Sequence, residues 1–305
     1  MLPLPFTIVI PCFNDEAILE KTLKSIRFQT HPDWEALIID DGSNDLSREI
    51  ATLYTGNDSR FRLIRADGSG RSAARNIALT QAQGNLIAFC DPGDIWEASK
   101  LARMERLFAD PSIDAAYARV ALFDGAVPRG ISATLEDDLT VQALVADNPV
   151  VTLSNFVVRR DVFAATGGFD TALQRDEDLE WLIRLCACGF RVVGMKDALV
   201  HHPLDIRDFS EDLDSLRANR EAVLATALRF GHRIDPRAEA IHLRYLAQRA
   251  LRQGAPVRDV LRLALTGLSA SPAGFFSDLR RGTLTLGAAL SAPFLPPTLR
   301  RMLFA

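Results

Sequence analysis

A chain of 305 residues with 48% apolar and 24% charged side chains can bury a sizeable core, which excludes a disordered or fibrous protein. The formal net charge of −4 points to no particular partner, and no nucleic-acid partner is expected. The charge is unevenly spread: residues 216–305 hold 14 Arg, no Lys and 5 acidic residues, a net of +9 against −13 for the residues before them.

Residues 6–10 (F-T-I-V-I) are a β-branched run closed by Pro11 and read as a strand. A helix is expected from Asp15 to about residue 28, with Asp15 and Glu16 in the first turn, where the helix dipole favours carboxylates. Strands are expected over 35–39, 61–64 and 86–89, with helices over 46–54 and 72–82 between them. Strands alternating with helices at this spacing imply βαβ units and a parallel sheet, with the strand ends on one edge. Further along, a helix is expected over 99–108 and a strand over 115–122. Residues 123–150 look irregular apart from a short helix near 135–145. A strand over 150–158, helices over 161–165 and 179–188, and a strand near 191–195 follow. Beyond residue 210 the pattern is helical, over 213–229, 236–252 and 256–268.

The four cysteines, Cys12, Cys90, Cys186 and Cys188, lack zinc-finger spacing and read as reduced thiols of a cytoplasmic protein. No signal peptide is expected at the N-terminus. No window offers the ~20 apolar residues of a spanning helix. The nearest, 284–299, is broken by Pro293, Pro296 and Pro297. The Arg-rich tail, with Phe294, Leu295, Leu299 and Phe304 beside Arg300 and Arg301, suits peripheral contact with the inner face of a membrane, or else packs as a solvated helical face.

Three acidic clusters carry the chemistry. Asp40-Asp41 (I-I-D-D-G-S-N-D) and Asp91–Asp94 (F-C-D-P-G-D) each follow an apolar run that reads as a buried parallel strand. Carboxylates there sit in the crevice where open α/β sheets bind ligands, and suit a nucleotide base and a divalent metal with its phosphates. Glu177-Asp178 (R-D-E-D-L-E-W), on a later segment, suits a general base. Each cluster also has a structural reading: an Asx-type turn for Asp40-Asp41, and an acidic helix N-terminus for Glu177-Asp178. Helix capping is the structural alternative for Asn14, Asp15 and Glu16. For Arg75 it is a surface helix arginine, with Arg71 as another phosphate contact. Trp96 and Trp181 either line an acceptor site or belong to the core. His201-His202 reads as a satisfied strand-end pair.

The ordered set I-V-I-P-C-F-N-D-E, I-I-D-D-G-S-N-D, G-R-S-A-A-R-N-I-A-L, G-N-L-I-A-F-C-D-P-G-D, G-G-F-D and E-D-L-E-W resembles a family 2 inverting glycosyltransferase of the GT-A fold, over about residues 5–205. The resemblance implies an α/β architecture: a central, mostly parallel sheet flanked by helices, the Rossmann-like nucleotide-diphospho-sugar transferase fold. It places a catalytic domain over 1–208 and a C-terminal helical extension over 209–305. It implies transfer of one sugar, with inversion, from a nucleotide-diphosphate donor, UDP-linked, to a glycan, lipid-linked or small-molecule hydroxyl, in cell-surface polysaccharide or glycolipid synthesis.

Residue by residue, the resemblance puts Asp41 on the uracil N3–H and Pro11 beside the base. Asn14 and Glu16 fall near ribose or base, Arg75 and Asp91 at base or diphosphate, and Asp178 at the acceptor proton, with Glu177 orienting it. The family's D-x-D-D motif is broken at Gly93, where the main metal ligand stands, so Mg²⁺ or Mn²⁺ would rest on Asp91 and Asp94. The Q-x-x-R-W signature of processive synthases is missing after Asp178, which argues for single addition. A sugar nucleotidyltransferase would need a Gly-rich basic loop after the first strand, and none is there. A non-catalytic nucleotide- or glycan-binding protein is the alternative that Gly93 favours.

Overall fold

The computed structural model describes residues 5–125, 127–173, 175–204 and 213–294; for 213–218 it describes the backbone alone. The chain divides into two compact units, Met1–Leu139 with Pro149–Leu204, and Thr140–Asn148 with Asp205–Ala305. The boundary expected at 208/209 lies outside the described residues.

The first unit is built on one mixed sheet. Its parallel half is β3 (Phe61–Arg65), β2 (Trp34–Asp40), β1 (Phe6–Cys12) and β4 (Leu86–Phe89), in that order. Every residue of β1 and β2 is buried, the signature of parallel strands covered on both faces. The connecting helices are α1 (Leu19–Arg27), α2 (Ser47–Asn57) and α3 (Arg71–Gln81). β4 pairs with β1 only as far as Val9↔Phe89, so Pro11 lies past that pairing, where its missing N–H takes nothing from the β4 ladder. At the opposite end of the sheet, buried Glu35 accepts from the Thr7 hydroxyl at 2.7 Å, and Arg62 donates to it at 3.2 Å.

The sheet continues beyond β4 through antiparallel β8 (Phe156–Arg159) to β6 (Ala115–Asp124), which pairs in parallel with β9 (Val192–Pro203). Two strands here have no counterpart in the sequence expectations. β5 (Ile95–Trp96) pairs with β9 at Ile95↔His201, and β7 (Val127–Ile131) pairs with β6. The helices of this half are α4 (Lys100–Leu107), α6 (Val162–Thr166) and α7 (Glu177–Ala187).

Two expected boundaries move, each for a local reason. α1 starts at Leu19, so Asp15 and Glu16 precede it rather than fill its first turn. The left-handed Asn14 (φ 55°) and the Asp15 carboxylate, which accepts from Phe13 N–H at 2.9 Å, hold those residues in a turn. The strand expected over 150–158 begins at Phe156, preceded by a 3₁₀ turn, Leu153–Asn155. There Thr152 Oγ1 accepts from Ser154 N–H, and Asn155 Nδ2 donates to the Ala118 and Val150 carbonyls, so side chains take groups a ladder would use.

The second unit is helical: α5 (Val141–Ala146), α8 (Leu213–Arg229), α9 (Pro236–Arg252), α10 (Val257–Ala270), α11 (Pro272–Phe275) and α12 (Leu279–Ser291). Asp235 caps α9 by accepting from Arg237 N–H at 2.7 Å, with Pro236 in the first turn. Small residues of α9 (Ala240, Ala247, Ala250) pack on Val260, Leu263 and Ala264 of α10 around Phe275. α5 is what the irregular stretch 123–150 contributes to this unit, shorter than the helix expected near 135–145.

A side chain at Gly84 would overlap the Thr7 nitrogen and the Phe6 carbonyl carbon at the foot of β1. Backbone of a central strand cannot retreat, so Gly84→Ala should destabilise the first unit by ~1–3 kcal/mol or more, read as a lower denaturant midpoint with an unchanged m-value.

Candidate active site

Parallel β1, β2 and β4 end on one edge of the sheet, and the loops after them carry the first two acidic clusters. The loops after β1 and β2 are tied to each other. Asn14 N–H donates to Ser43 Oγ at 3.0 Å, and Asn14 Oδ1 accepts from Asn44 N–H at 2.9 Å. Asp15 N–H donates to Ser47 Oγ at 2.7 Å. Glu16 N–H donates to Asp45, and the Glu16 carboxylate accepts from Leu46 N–H at 2.9 Å. Asn14 and Glu16, expected near the ribose or base, thus form a brace that fixes the mouth of the crevice; they cap no helix.

The two aspartates of the second loop divide their work. Asp40 is buried and accepts from Ser43 N–H at 3.0 Å and Arg48 Nε at 2.7 Å. Burial pushes its carboxyl up, but these partners outweigh it and hold the pKa below the usual carboxylate range. Asp41, expected to face a base, is also buried: its two oxygens accept from Ser69 N–H at 3.0 Å and Gly70 N–H at 2.7 Å. It holds the Gly68–Gly70 turn that starts α3. The positive φ of Gly68 and Gly70 (74° and 91°) lets that turn close on one carboxylate.

The centre of the site is Arg75. It is 2% exposed, not the surface residue its helical position allowed. One guanidinium nitrogen donates to Glu177 Oε1 at 2.7 Å, and another to the Asp91 oxygens at 2.9 and 3.2 Å. The side chain expected at base or diphosphate therefore ties the end of β4 to the start of α7. Burial opposes its charge, but Asp91, Glu177 and Asp178 outweigh that and raise its pKa. Burial pushes Asp91 up too, yet Arg75 and then Arg71 hold its carboxyl below the usual range. Arg71, exposed, opens α3 with no acidic residue in that first turn.

Asp178 sits beside this pair, with one oxygen accepting from Leu179 N–H at 2.8 Å. Burial, and then the Glu177 charge, push its carboxyl up, with Arg75 opposing. A carboxylate poised above its ordinary range is suited to taking a proton. Glu177 does not contact Asp178 by a hydrogen bond; it is the buried partner of Arg75. The G-G-F-D loop is held by Asn76, which donates to Phe169 O and accepts from Phe169 N–H, each at 2.8 Å. A side chain at Gly168 would run into the Asn76 amide, so this glycine permits the approach. Sequence reasoning missed Asn76; its place next to Arg75, one residue on in the same motif, was the available signal.

Asp94, expected beside Asp91 as a metal ligand, turns inward. It is 2% exposed, with Oδ1 2.6 Å from His202 Nδ1 and Oδ2 accepting from Thr152 Oγ1 at 3.2 Å. Gly93 adopts φ +99°, a backbone conformation that disfavours a side chain. Among the described residues no group of three or more His, Cys, Asp or Glu could hold an ion. The donor set that remains is Asp91, 22% exposed, whose oxygens keep lone pairs beyond the two given to Arg75. It fits a hard cation that arrives with phosphate oxygens as its main ligands, not a cage made by protein alone.

Neither tryptophan lines an acceptor site. Trp181 is fully buried, stacked on Phe163 at 5.0 Å and donating to Thr166 and Gly167. Trp96 is 3% exposed and carries Lys100 Nζ 3.7 Å from its ring centroid. Burial pushes that lysine down to about 7, although Cys90 and Asp94 oppose the shift.

Comparison with known proteins bears on the family and the fold. The model of the family described as "Glycosyl transferase family 2" matches residues 7–167. TuaG of Bacillus subtilis (strain 168), a proposed teichuronic acid biosynthesis glycosyltransferase, is 28% identical over 202 residues, 65% of this chain and 78% of that one. The crystal structure of S. aureus TarS 1-349 in complex with UDP superposes with a TM-score of 0.64 at 15% identity, covering 94% of this chain and 92% of that chain. A mannosyltransferase from Pyrobaculum calidifontis, PcManGT, in complex with GDP-Man and Mn²⁺, superposes at 0.59 and 18%, covering 98% and 83%. At these identities the two structures establish the GT-A fold.

Replacing Arg75 by Met would leave Glu177 and Asp91 without their cation. The variant should lose ~3–5 kcal/mol of stability at neutral pH, the usual result of breaking a buried ion pair. Asp91 titrates low in the folded state, so the stability it contributes is present above its unfolded pKa and lost as pH falls through the folded one. The gap between wild type and variant should therefore narrow in acid, which urea melts across pH 3–7 would read (~3–7, spanning the ordinary carboxylate range).

Proposed function

The chain belongs to glycosyl transferase family 2, and from that premise we propose that it transfers one sugar, with inversion, from a UDP-linked donor to an acceptor hydroxyl. The observation that carries this reading is the Arg75 bridge: it sets Asp91, at the diphosphate edge, and the proton-accepting Asp178 around one buried cation. The UDP bound to TarS supports a uridine donor, and GDP-Man in PcManGT marks the guanosine alternative. The name of TuaG supports a cell-surface polysaccharide as the product's destination. The acceptor is a glycan, lipid-linked or small-molecule hydroxyl.

In this mechanism Asp178 takes the acceptor O–H proton as that oxygen attacks the anomeric carbon. The new C–O bond forms on one face. The bond to the β-phosphate oxygen breaks on the other, and its electron pair leaves with the nucleoside diphosphate. Arg71, in the first turn of α3, offers positive charge to that leaving group. Arg75 binds Glu177 and Asp91 together and holds the Asp91 carboxyl below its ordinary range, while burial and the Glu177 charge keep Asp178 above its own. Asp41 meets the base through the lone pairs its two backbone partners leave, so the Gly68–Gly70 turn and the base share one carboxylate. Pro11, buried at the end of β1, offers an apolar wall beside it. A divalent ion bound with the donor would be held by Asp91 and would neutralise diphosphate charge.

Two experiments test this reading. Asp178→Asn keeps the shape of the site but cannot accept the proton, so turnover should fall by ~10²–10⁴ with UDP affinity nearly unchanged. Because the folded pKa of Asp178 is raised, its ionisation weakens the fold as pH rises through that value. The Asn variant should thus match wild type in acid and be at least as stable at neutral pH. Wild-type turnover in a folded Asp178→Asn protein would remove Asp178 as the base. For the cation, calorimetry should show no Mn²⁺ binding without nucleotide, and binding once UDP is present. Asp91→Asn should weaken that second event roughly tenfold or more. Tight Mn²⁺ binding to the nucleotide-free protein would contradict the assignment.

A further inference from the structure

The last described helix of the second unit is built the wrong way round for a helix whose outer face meets water. Its inward positions are small: Gly282, Thr285 and Ala289 in α12, then Ala292 in the following turn, are the buried ones. A side chain at Gly282 would come within 2.6 Å of the Phe276 ring and 2.8 Å of the Phe275 carbonyl oxygen, so α12 lies close on the segment before it. Leu286 packs on the core of the unit, but the other large apolar residues point away. Leu279 is 70% exposed, Leu284 62%, Leu290 52% and Phe294 86%.

At 3.6 residues per turn, these four and Arg280 fall within one arc of roughly 140°. The other residues on that arc are Thr283, Gly287 and Ser291. Scattered exposed leucines are ordinary, but three leucines on one arc of α12, continued by Phe294 of the 3₁₀ turn after it, form a face. The charge on that arc is Arg280; the nearest acidic residue, the capping Asp278, lies off the arc and is taken by Arg281, whose backbone N–H and guanidinium it holds at 2.9 and 3.4 Å. α10, which packs on α12, exposes Arg258, Arg262 and Leu265 at i, i+4 and i+7. Among the described residues no helix is long and apolar enough to cross a membrane.

We propose that the outward arc of α12 is a membrane-surface contact that seats Leu284, Leu290 and Phe294 among the acyl chains of an anionic bilayer, with Arg280 at the headgroups. The charge decides between this surface and a second copy of the chain. A self-complementary contact would bring Arg280 arcs together with no carboxylate on either to answer them, whereas anionic lipid answers every arginine. An interfacial helix has an apolar face and a basic flank, and needs no spanning length. The 14 Arg and absent Lys of residues 216–305 place the chain's positive charge in this same region. Leu295, Leu299, Phe304, Arg300 and Arg301, expected to join such a contact, lie outside the described residues. The inference stands apart from the donor chemistry, which involves the other unit's residues.

The test is sedimentation of the full chain with vesicles of equimolar phosphatidylglycerol and phosphatidylcholine, and with phosphatidylcholine alone. Wild type should pellet with the anionic vesicles and lose binding as salt rises. Leu284→Ser/Leu290→Ser/Phe294→Ser should lower the partition coefficient about tenfold or more, and Arg280→Glu roughly fivefold. UDP affinity, measured in the same preparations, should not move and serves as the folding control. Should the triple variant lose UDP binding, the single Arg280→Glu variant decides by itself. The proposal is overturned by wild type that fails to pellet, by folded variants that pellet like wild type, or by equal binding to both vesicle types at all salt concentrations. Concentration-dependent dimers that the triple substitution dissolves, without vesicle binding, overturn it in favour of a second copy.

Discussion

A guanidinium removed from water must be answered by carboxylates, and Arg75 is answered twice. This requirement fixes the geometry around it. Asp91 follows β4, Glu177 opens α7, and the two are 86 positions apart in the chain, yet one side chain on α3 holds both. Asp178 inherits its position from that bond, as the residue after Glu177. Its raised proton affinity follows from burial first and then from the same crowding, since Glu177 and, less, Asp91 disfavour its charge. The pair is buried and hydrogen-bonded at each end, the condition under which removing one partner is severe.

The crevice mouth is shaped by polar side chains bonded to backbone, not by apolar packing. Asn14, Asp15 and Glu16 exchange hydrogen bonds with the loop after β2, and Asp41 anchors the turn into α3. Charged acceptors on backbone N–H groups are among the stronger hydrogen bonds, and they are directional. They hold three irregular segments in register without secondary structure.

The helical unit follows different physics. α9 offers alanines to Val260, Leu263 and Ala264 of α10, and α12 likewise turns Gly282, Thr285 and Ala289 inward. A helix that spends its small residues on the interior has its large ones left for the exterior. The exposed leucines of α12 thus follow from the close approach that Gly282 permits. Sequence periodicity alone would have assigned the leucines to the core.

Much of the first unit was legible before any coordinates. Parallel strands buried on both faces are unbroken apolar runs, so F-T-I-V-I, A-L-I-I and L-I-A-F announce themselves, and the first two acidic clusters come where β2 and β4 end. The order of motifs then identified the family. Tertiary structure alone decided which way the functional side chains face. Helical spacing leaves Arg75 free to be surface or core, and its burial depends on Glu177, 102 positions later. Asp94 looked like a ligand by its spacing from Asp91, but a histidine on β9 and a threonine before the 3₁₀ turn draw it inward. Trp181 looked available and is enclosed by Phe89, Phe156, Phe163 and Phe169. Local pattern sets what a segment is, because it depends on neighbours in sequence. Which charge is buried, and which partner neutralises it, depends on atoms brought together from distant parts of the chain.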